Sequence, residues 1–506
     1  MRLGVTVVGA SGPGPAVSYT WSASAGIVGT PVSRASGSEV VWASLSCLPA
    51  GVTPTVTVTA TRAPGSSTSH TFPVTWTGPT CTRAPCSFSL EDGRVALTAD
   101  CTTDSTLLIP EGYTFDGQGH TVTAVDPPGG HFTGAVLRNR GALARVREVT
   151  VTASGLKDVC SSGAARLRGI LLDGASGEVV DSRVRALSKA GGASGCQEGF
   201  GIEVRNDDAS RGPFRVDVLR NHVSGYQKVG LLALGAVEVL LTGNTVEGGG
   251  AVSTLARSGI QISAGASGRV TGNTVSGNAS TRAEANGAGL LVTGGSFHGP
   301  GSPLVTDLVI EGNTFTDNDI GISLAQLEGA GTAPSRPTRL RVRGNTLGKA
   351  AVTHPAFQAA IADYGTANLI TSNLISGPGY TPATAPGSTF AVYVEAVGPA
   401  SKLAFLTPTY EVPTGACSGP ITVQSQDAAG NLVPSAETFT LAASGPAAPG
   451  LTFHSDAGCT KALGPVELSG PQAEAGFYFE STQAGAVTVT VASGGLEGAS
   501  QQHLFQ

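Results

Sequence analysis

Gly243-Asn244-Thr245-Val246, Gly272-Asn273-Thr274-Val275, Gly312-Asn313-Thr314-Phe315 and Gly344-Asn345-Thr346-Leu347 are copies of one short phrase, and their recurrence decides the fold. Asn221-His222-Val223 and Asn373-Leu374-Ile375 are variants of it. A second phrase interleaves with the first: Gly201-Ile202-Glu203-Val204, Gly230-Leu231-Leu232-Ala233, Gly259-Ile260-Gln261-Ile262, Gly289-Leu290-Leu291-Val292 and Gly321-Ile322-Ser323-Leu324. Its leading glycines are 29, 29, 30 and 32 residues apart, and repetition at such a period marks a solenoid. Apolar residues alternate with period two and glycine interrupts every turn, which excludes a helical solenoid. Two strands per period with Asn at one corner predict stacked coils about 4.8 Å apart. The corner Asn is expected to take left-handed backbone angles and to hydrogen-bond along the stack. No coil can bury its apolar face alone, so a cooperative array of roughly nine to eleven coils, with caps, is expected.

Outward from these repeats the chain divides into three zones. A parallel β-helix is expected over 87–397, an Ig-like or PKD-like β-sandwich over 1–80, and a second Ig-like sandwich over 398–506. Alternating strands are predicted at 18–22, 39–43, 55–60 and 71–77 in the first zone, which also holds Trp21, Trp42 and Trp76, the only tryptophans. Residues 78–86 read as a linker. The last zone is predicted to carry strands at 402–405, 421–424, 438–441, 476–480 and 486–491. The fold class is therefore all-β.

Composition agrees. Of 506 residues, 71 are glycine and only 13% are charged, against about 25% in an average soluble protein. The net charge of −6 argues against a nucleic-acid partner, which calls for a basic stripe. No run long enough for a transmembrane helix occurs. The eight cysteines form no CxxC pair, so zinc is disfavoured and disulfides in an oxidising compartment are expected. Cys417 is expected to pair with Cys459 and Cys160 with Cys196. For the other four, Cys86–Cys101 and Cys47–Cys81 is one assignment among several. Residues 3–10 alternate like a first strand (Val5, Val7) and make a poor export signal, so a secreted protein would carry its signal upstream.

The stretch Leu97-Thr98-Ala99-Asp100-Cys101-Thr102-Thr103-Asp104, with Gly112-Tyr113-Thr114-Phe115-Asp116-Gly117-Gln118-Gly119-His120-Thr121, resembles the first coil of secreted bacterial right-handed parallel β-helix repeat proteins of the pectate-lyase-like fold. So do Cys196-Gln197-Glu198 through Glu203-Val204-Arg205-Asn206, and Gly225-Tyr226-Gln227-Lys228. Gly415-Ala416-Cys417-Ser418 with Phe453-His454-Ser455-Asp456-Ala457-Gly458-Cys459-Thr460 resembles Ig-like repeats of bacterial surface proteins. The resemblance implies an extracellular or outer-surface protein. In such β-helices, polysaccharide lies in a groove along one sheet, and the enzymes among them are lyases or glycoside hydrolases.

One strip of polar residues fits that picture. With Ile202 and Val204 inward, Glu203 and Arg205 point outward. Gln227 and Lys228 follow one coil later, then Arg257 and Gln261, with Arg166, Arg168, Asp173 and Glu198 alongside. As a uronate lyase, the strip would use Lys228 as base, with Arg257 or Arg205 neutralising the substrate carboxylate. Gln227, Gln261, Arg168 and Glu203 would bind substrate, and Asp173, Glu198 and Glu203 would hold Ca2+. No lyase motif is matched residue by residue. Three readings stay open: a protein that binds or processes extracellular polysaccharide, a non-catalytic adhesive rod, and a uronate lyase. Asp317-Asn318-Asp319 and Asn206-Asp207-Asp208 read as turns, and His120 as a hydrogen-bonded residue of an early coil.

Overall fold

The computed structural model describes residues 1–6, 17–34, 36–48, 50–62, 65–91, 93–329, 331–354, 356–382, 388–395, 398–435, 437–464, 466–468 and 472–506. Val7, in the expected first strand, and the expected boundary at 397 lie outside these residues. The chain forms two compact units, Met1–Leu290 and Leu291–Gln506. Among the described residues no helix is long and apolar enough to cross a membrane.

The first unit opens with two small antiparallel sheets. One gathers Arg2–Thr6, Ile27–Val28 and Val32–Arg34 around Gly37–Ala43; the other is Val17–Ala23, Thr55–Arg62 and Ser66–Pro73. They bury Val40, Trp42, Val56 and Val74. The strand predicted at 71–77 lies instead at Ser66–Pro73. Pro73 donates no ladder hydrogen bond, and Trp76 beyond it packs edge-on against Trp42 at 6.4 Å. Residues 78–86 are held at both ends, by Cys47–Cys81 and Cys86–Cys101. Cys160–Cys196 and Cys417–Cys459 form as expected, and Cys47–Cys81 and Cys86–Cys101 is the assignment realised for the other four; the Cα–Cα distances of 4.9, 5.3, 5.1 and 5.6 Å, in chain order of the pairs, lie in the usual range for disulfides.

The rest of this unit is a parallel β-helix with three strands per coil, not the two read from the repeats. One sheet stacks Leu107–Ile109, Ala135–Asn139, Arg168–Asp173, Phe200–Asn206, Val229–Gly235 and Ser258–Ser263. A second runs from Cys101–Thr103 to Thr274–Ser280, and a third from Arg94–Leu97 to Ser267–Thr271. The uncounted strand, as in Val237–Thr242, runs straight into the Gly243-Asn244 corner, so one bend separates two strands. The left-handed residue is also not the Asn. It is the residue before it: Gly243 at φ 65° and Gly272 at φ 62°, with Arg220 at φ 53° in the variant. Glycine takes this angle without a Cβ clash. The Asn keeps the ladder: the Asn244 Oδ1 accepts from the Asn221 N–H at 2.9 Å and side-chain amide at 3.0 Å, and Asn273 does the same for Asn244 at 2.9 Å each.

In the second unit the strands Ile320–Gln326, Gln358–Asp363 and Thr389–Val394 stack in parallel. Asn345 and Asn373 repeat the ladder. Beyond them, two sheets bury Phe439, Phe477, Phe479, Val487, Val489, Val491 and Phe505. This C-terminal module closes the last coil with side chains that imitate a further one. Gln472 Oε1 accepts from the Asn373 N–H and amide at 3.0 and 2.9 Å, as the next ladder Asn would. Glu474 accepts from the Ser372 N–H at 3.0 Å, and Gln424 donates to the Ile370 carbonyl at 2.9 Å. Capped backbone groups cannot recruit a foreign strand. Gln472→Leu removes the partners of the buried Asn373 N–H and carbonyl, while the Asn373 amide keeps the Val342 and Thr371 carbonyls, and should destabilise this unit by about 1–3 kcal/mol. Calorimetry of the full chain reads it, and an unchanged unfolding profile would show that the cap bonds contribute nothing.

Asp363, at the end of its strand, is buried. Burial pushes its carboxyl up to about 6, although the Gly365 N–H and Asn368 amide donate to it. The folded state thus holds this proton more tightly than the unfolded chain, so the contribution falls as pH rises from about 4 to about 6. Relative to wild type, Asp363→Asn should gain stability over that interval. A pH-independent difference in denaturation midpoints would reject the assignment.

Candidate functional site

Three columns of outward residues on the sheet containing Phe200–Asn206 line up across successive coils. They are Arg168, Phe200 and Val229; then Leu171, Glu203, Leu232 and Gln261; then Asp173, Arg205, Leu234 and Ser263. Two loops, 154–167 and 186–199, stand beside them. Together they form an open groove of about 520 Å³, whose lining includes Arg166, Arg168, Glu203, Arg205, Lys228 and Gln261. Its floor is apolar: Phe200, Val229 and Leu232 form one cluster with Leu234 packed against it. The groove runs along the stacking direction, so a ligand in it meets a new coil every ~4.8 Å.

The charges in the groove differ in how they are occupied. Arg168 is 1% exposed and Glu203 2%. Arg168 Nε pairs with Glu203, and its other nitrogens donate to the carbonyls of Gly163, Ala164 and Arg166. Its guanidinium also lies 5.6 Å from the Phe200 ring centre. Arg205 is held by Glu203 at 3.6 Å, by Asp173 at 3.9 Å and by a close pairing with Asp207. Lys228 Nζ donates to the Ala256 carbonyl at 2.8 Å. Burial, and then the nearby Arg166 charge, hold its amine below the ordinary lysine range. Gln261 donates to Ser263 at 2.9 Å.

Glu203 points outward as expected but is buried, paired with Arg168 and Arg205. Gln227 is turned away from solvent, where it accepts from the Lys189 N–H at 2.7 Å and donates to the Cys196 carbonyl at 2.7 Å. Arg257 is not among the groove residues; it donates to the Gly248 carbonyl at 2.5 Å. The expected Ca2+ ligands do not come together among the described residues. Asp173 accepts from Arg138 at 2.9 Å. Glu198 is buried, accepts from the Ser161 and Leu167 N–H groups at 2.8 and 2.7 Å, and faces Lys189 at 3.8 Å. Each carboxylate is thus already answered by a protein cation. The clusters that do bring ligand atoms together, Asp158/Cys160/Cys196 and His454/Cys459/Glu480, contain disulfide-bonded cysteines and offer no thiolate.

Sequence reasoning missed the apolar floor. A signal existed in Gly230-Leu231-Leu232-Ala233, where the outward position of the strand is leucine, and in Phe200 and Val229 just before their glycines. The wall was legible only in part. Cys160–Cys196 joins the two loops, and Lys189 fastens them from below by donating to the Phe132 and Val159 carbonyls at 3.2 and 3.1 Å.

Residues 168–375 match the family model described as a right handed beta helix region, which sets the hand of the coils. No curated protein matches the sequence. Among solved structures, domains 4 and 5 of the S-layer protein SbsC share 15% identity over 22% of this chain and 55% of that one, with a TM-score of 0.16. The Parabacteroides merdae β-glucuronidase shares 17% over 22% of this chain and 13% of that one, at 0.17. A mutant tailspike protein of E. coli bacteriophage HK620 in complex with a pentasaccharide shares 13% over 79% of this chain and 71% of that one, at 0.33.

Proposed function

We propose that this right-handed β-helix is the body of an extracellular or surface protein that binds polysaccharide along the groove of the first unit. The carrying observation is the groove itself, whose apolar floor of Phe200, Val229, Leu232 and Leu234 lies beside cationic and amide side chains. A pyranose presents an apolar C–H face and a polar edge, and a site of this composition complements both. Alignment across coils suits a polymer over a single sugar. Four disulfides support an oxidising compartment. We read the flanks, 1–80 and 398–506, as Ig-like end modules.

Titration calorimetry of the full chain against neutral and acidic polysaccharides tests this reading. Binding that weakens on Leu232→Asp supports it, and absence of binding to every polymer rejects it in favour of the adhesive rod. The lowered amine of Lys228 keeps uronate β-elimination as a second reading. Ultraviolet-absorbing unsaturated product from polygalacturonate, lost in Lys228→Ala, would replace binding by catalysis.

A further inference from the structure

We propose that the groove selects acidic sugars through a carboxylate seat formed by Arg166 and Lys228, and that Arg168 and Arg205 are positioning residues rather than ligands of the substrate. This rests on the glycan reading above and specifies the class of sugar.

The inference follows from which cations remain unanswered. The Arg168 guanidinium is spent on Glu203 and three loop carbonyls. Arg205 faces Glu203, Asp173 and Asp207. These pairs nearly cancel and offer little net field to a ligand. Arg166 differs: its Nε, like that of Arg205, is buried without a hydrogen-bond partner, but no carboxylate of a described residue pairs with its guanidinium, whereas three surround Arg205. Lys228 has one neutral acceptor, the Ala256 carbonyl. The two charges are close enough that Arg166 disfavours the protonated Lys228 amine. Two like charges lining one half-buried groove lower their energy when an anion sits between them.

The surroundings indicate a carboxylate on a ring. Both cations line the same groove as Phe200 and Val229, so a ring laid on the floor brings a carboxylate at its edge toward them. Gln197 and Gln261 line that groove too and supply amide donors and acceptors for hydroxyls. The seat is built from below: Arg168 binds the carbonyls of Gly163, Ala164 and Arg166, which fixes the loop that carries Arg166.

The test measures affinity of the full chain for polygalacturonate, dextran sulfate and uncharged dextran. Wild type should prefer polygalacturonate and weaken as salt is raised. Arg166→Gln and Lys228→Gln should each lower that affinity by roughly 10- to 100-fold, the range of one charge-assisted hydrogen bond, and affect any dextran binding far less than polygalacturonate binding. Lys228→Arg, which keeps the charge, should retain most of it and separates loss of charge from loss of fold. Equal affinity for polygalacturonate in both glutamine variants would overturn the seat. Preference for dextran sulfate would overturn carboxylate selectivity. Binding of dextran alone would overturn the seat and leave the glycan reading standing; binding of no polymer would remove both.

Discussion

Glu203→Ala should destabilise the first unit by about 3–5 kcal/mol, the cost of breaking a buried ion pair by removing one partner. The loss comes from what stays behind. Arg168 is 1% exposed, and without Glu203 its charge is balanced only by carbonyl dipoles. Arg205 loses one of its carboxylates as well. Replacing both buried partners with apolar residues of similar volume, Arg168→Met with Glu203→Leu, should recover much of the loss, because no charge is then left buried. Calorimetric unfolding of the full chain distinguishes the outcomes: a single variant within 1 kcal/mol of wild type would show that Arg168 finds water or another partner. The double variant should also bind glycan more weakly despite its recovered stability, since the Gly163–Arg166 carbonyls lose their clamp.

Glu198→Ala should have an effect of the same size, about 3–5 kcal/mol, for a related reason. Lys189 and Glu198 are both fully buried, and the carboxylate also satisfies the N–H groups of Ser161 and Leu167. Removing it leaves an ammonium and two amides uncompensated, beneath the loops joined by Cys160–Cys196. Glu198→Gln, which keeps an acceptor oxygen, should cost less. Added Ca2+ should leave the wild-type melting temperature unchanged, because Lys189 already answers the charge that the cation would neutralise. A calcium-dependent rise that disappears in Glu198→Ala would restore the role expected from sequence.

The sequence by itself determined what repeats along the chain. The Gly-Asn-Thr phrase marks the corner and its Asn ladder, since the amide of Asn reaches the neighbouring coil, although the left-handed angle expected of the Asn falls on the glycine before it. The alternation in Gly201–Val204 specifies which residues enter the lumen. The even count of cysteines was enough to expect disulfides, and Cys417–Cys459 and Cys160–Cys196 were legible as pairs, whereas several pairings of the other four fit the sequence and the structure decided among them. Strands outside the repeats were harder to see: Leu451–His454 and Ala499–Phe505 carry no phrase to mark them. Only the tertiary structure decided the use of each charge. Glu203 and Arg205 stand two residues apart and both point outward, yet one is covered and the other is shared among three carboxylates. Gln227 and Lys228 are adjacent, yet one fastens a loop from beneath and the other faces the groove. A strand's period states which side a residue takes, and that is a local property of the backbone. Whether its charge is free depends on partners some 30 residues away in the next coil, such as Arg168 for Glu203, brought close only when the coils stack.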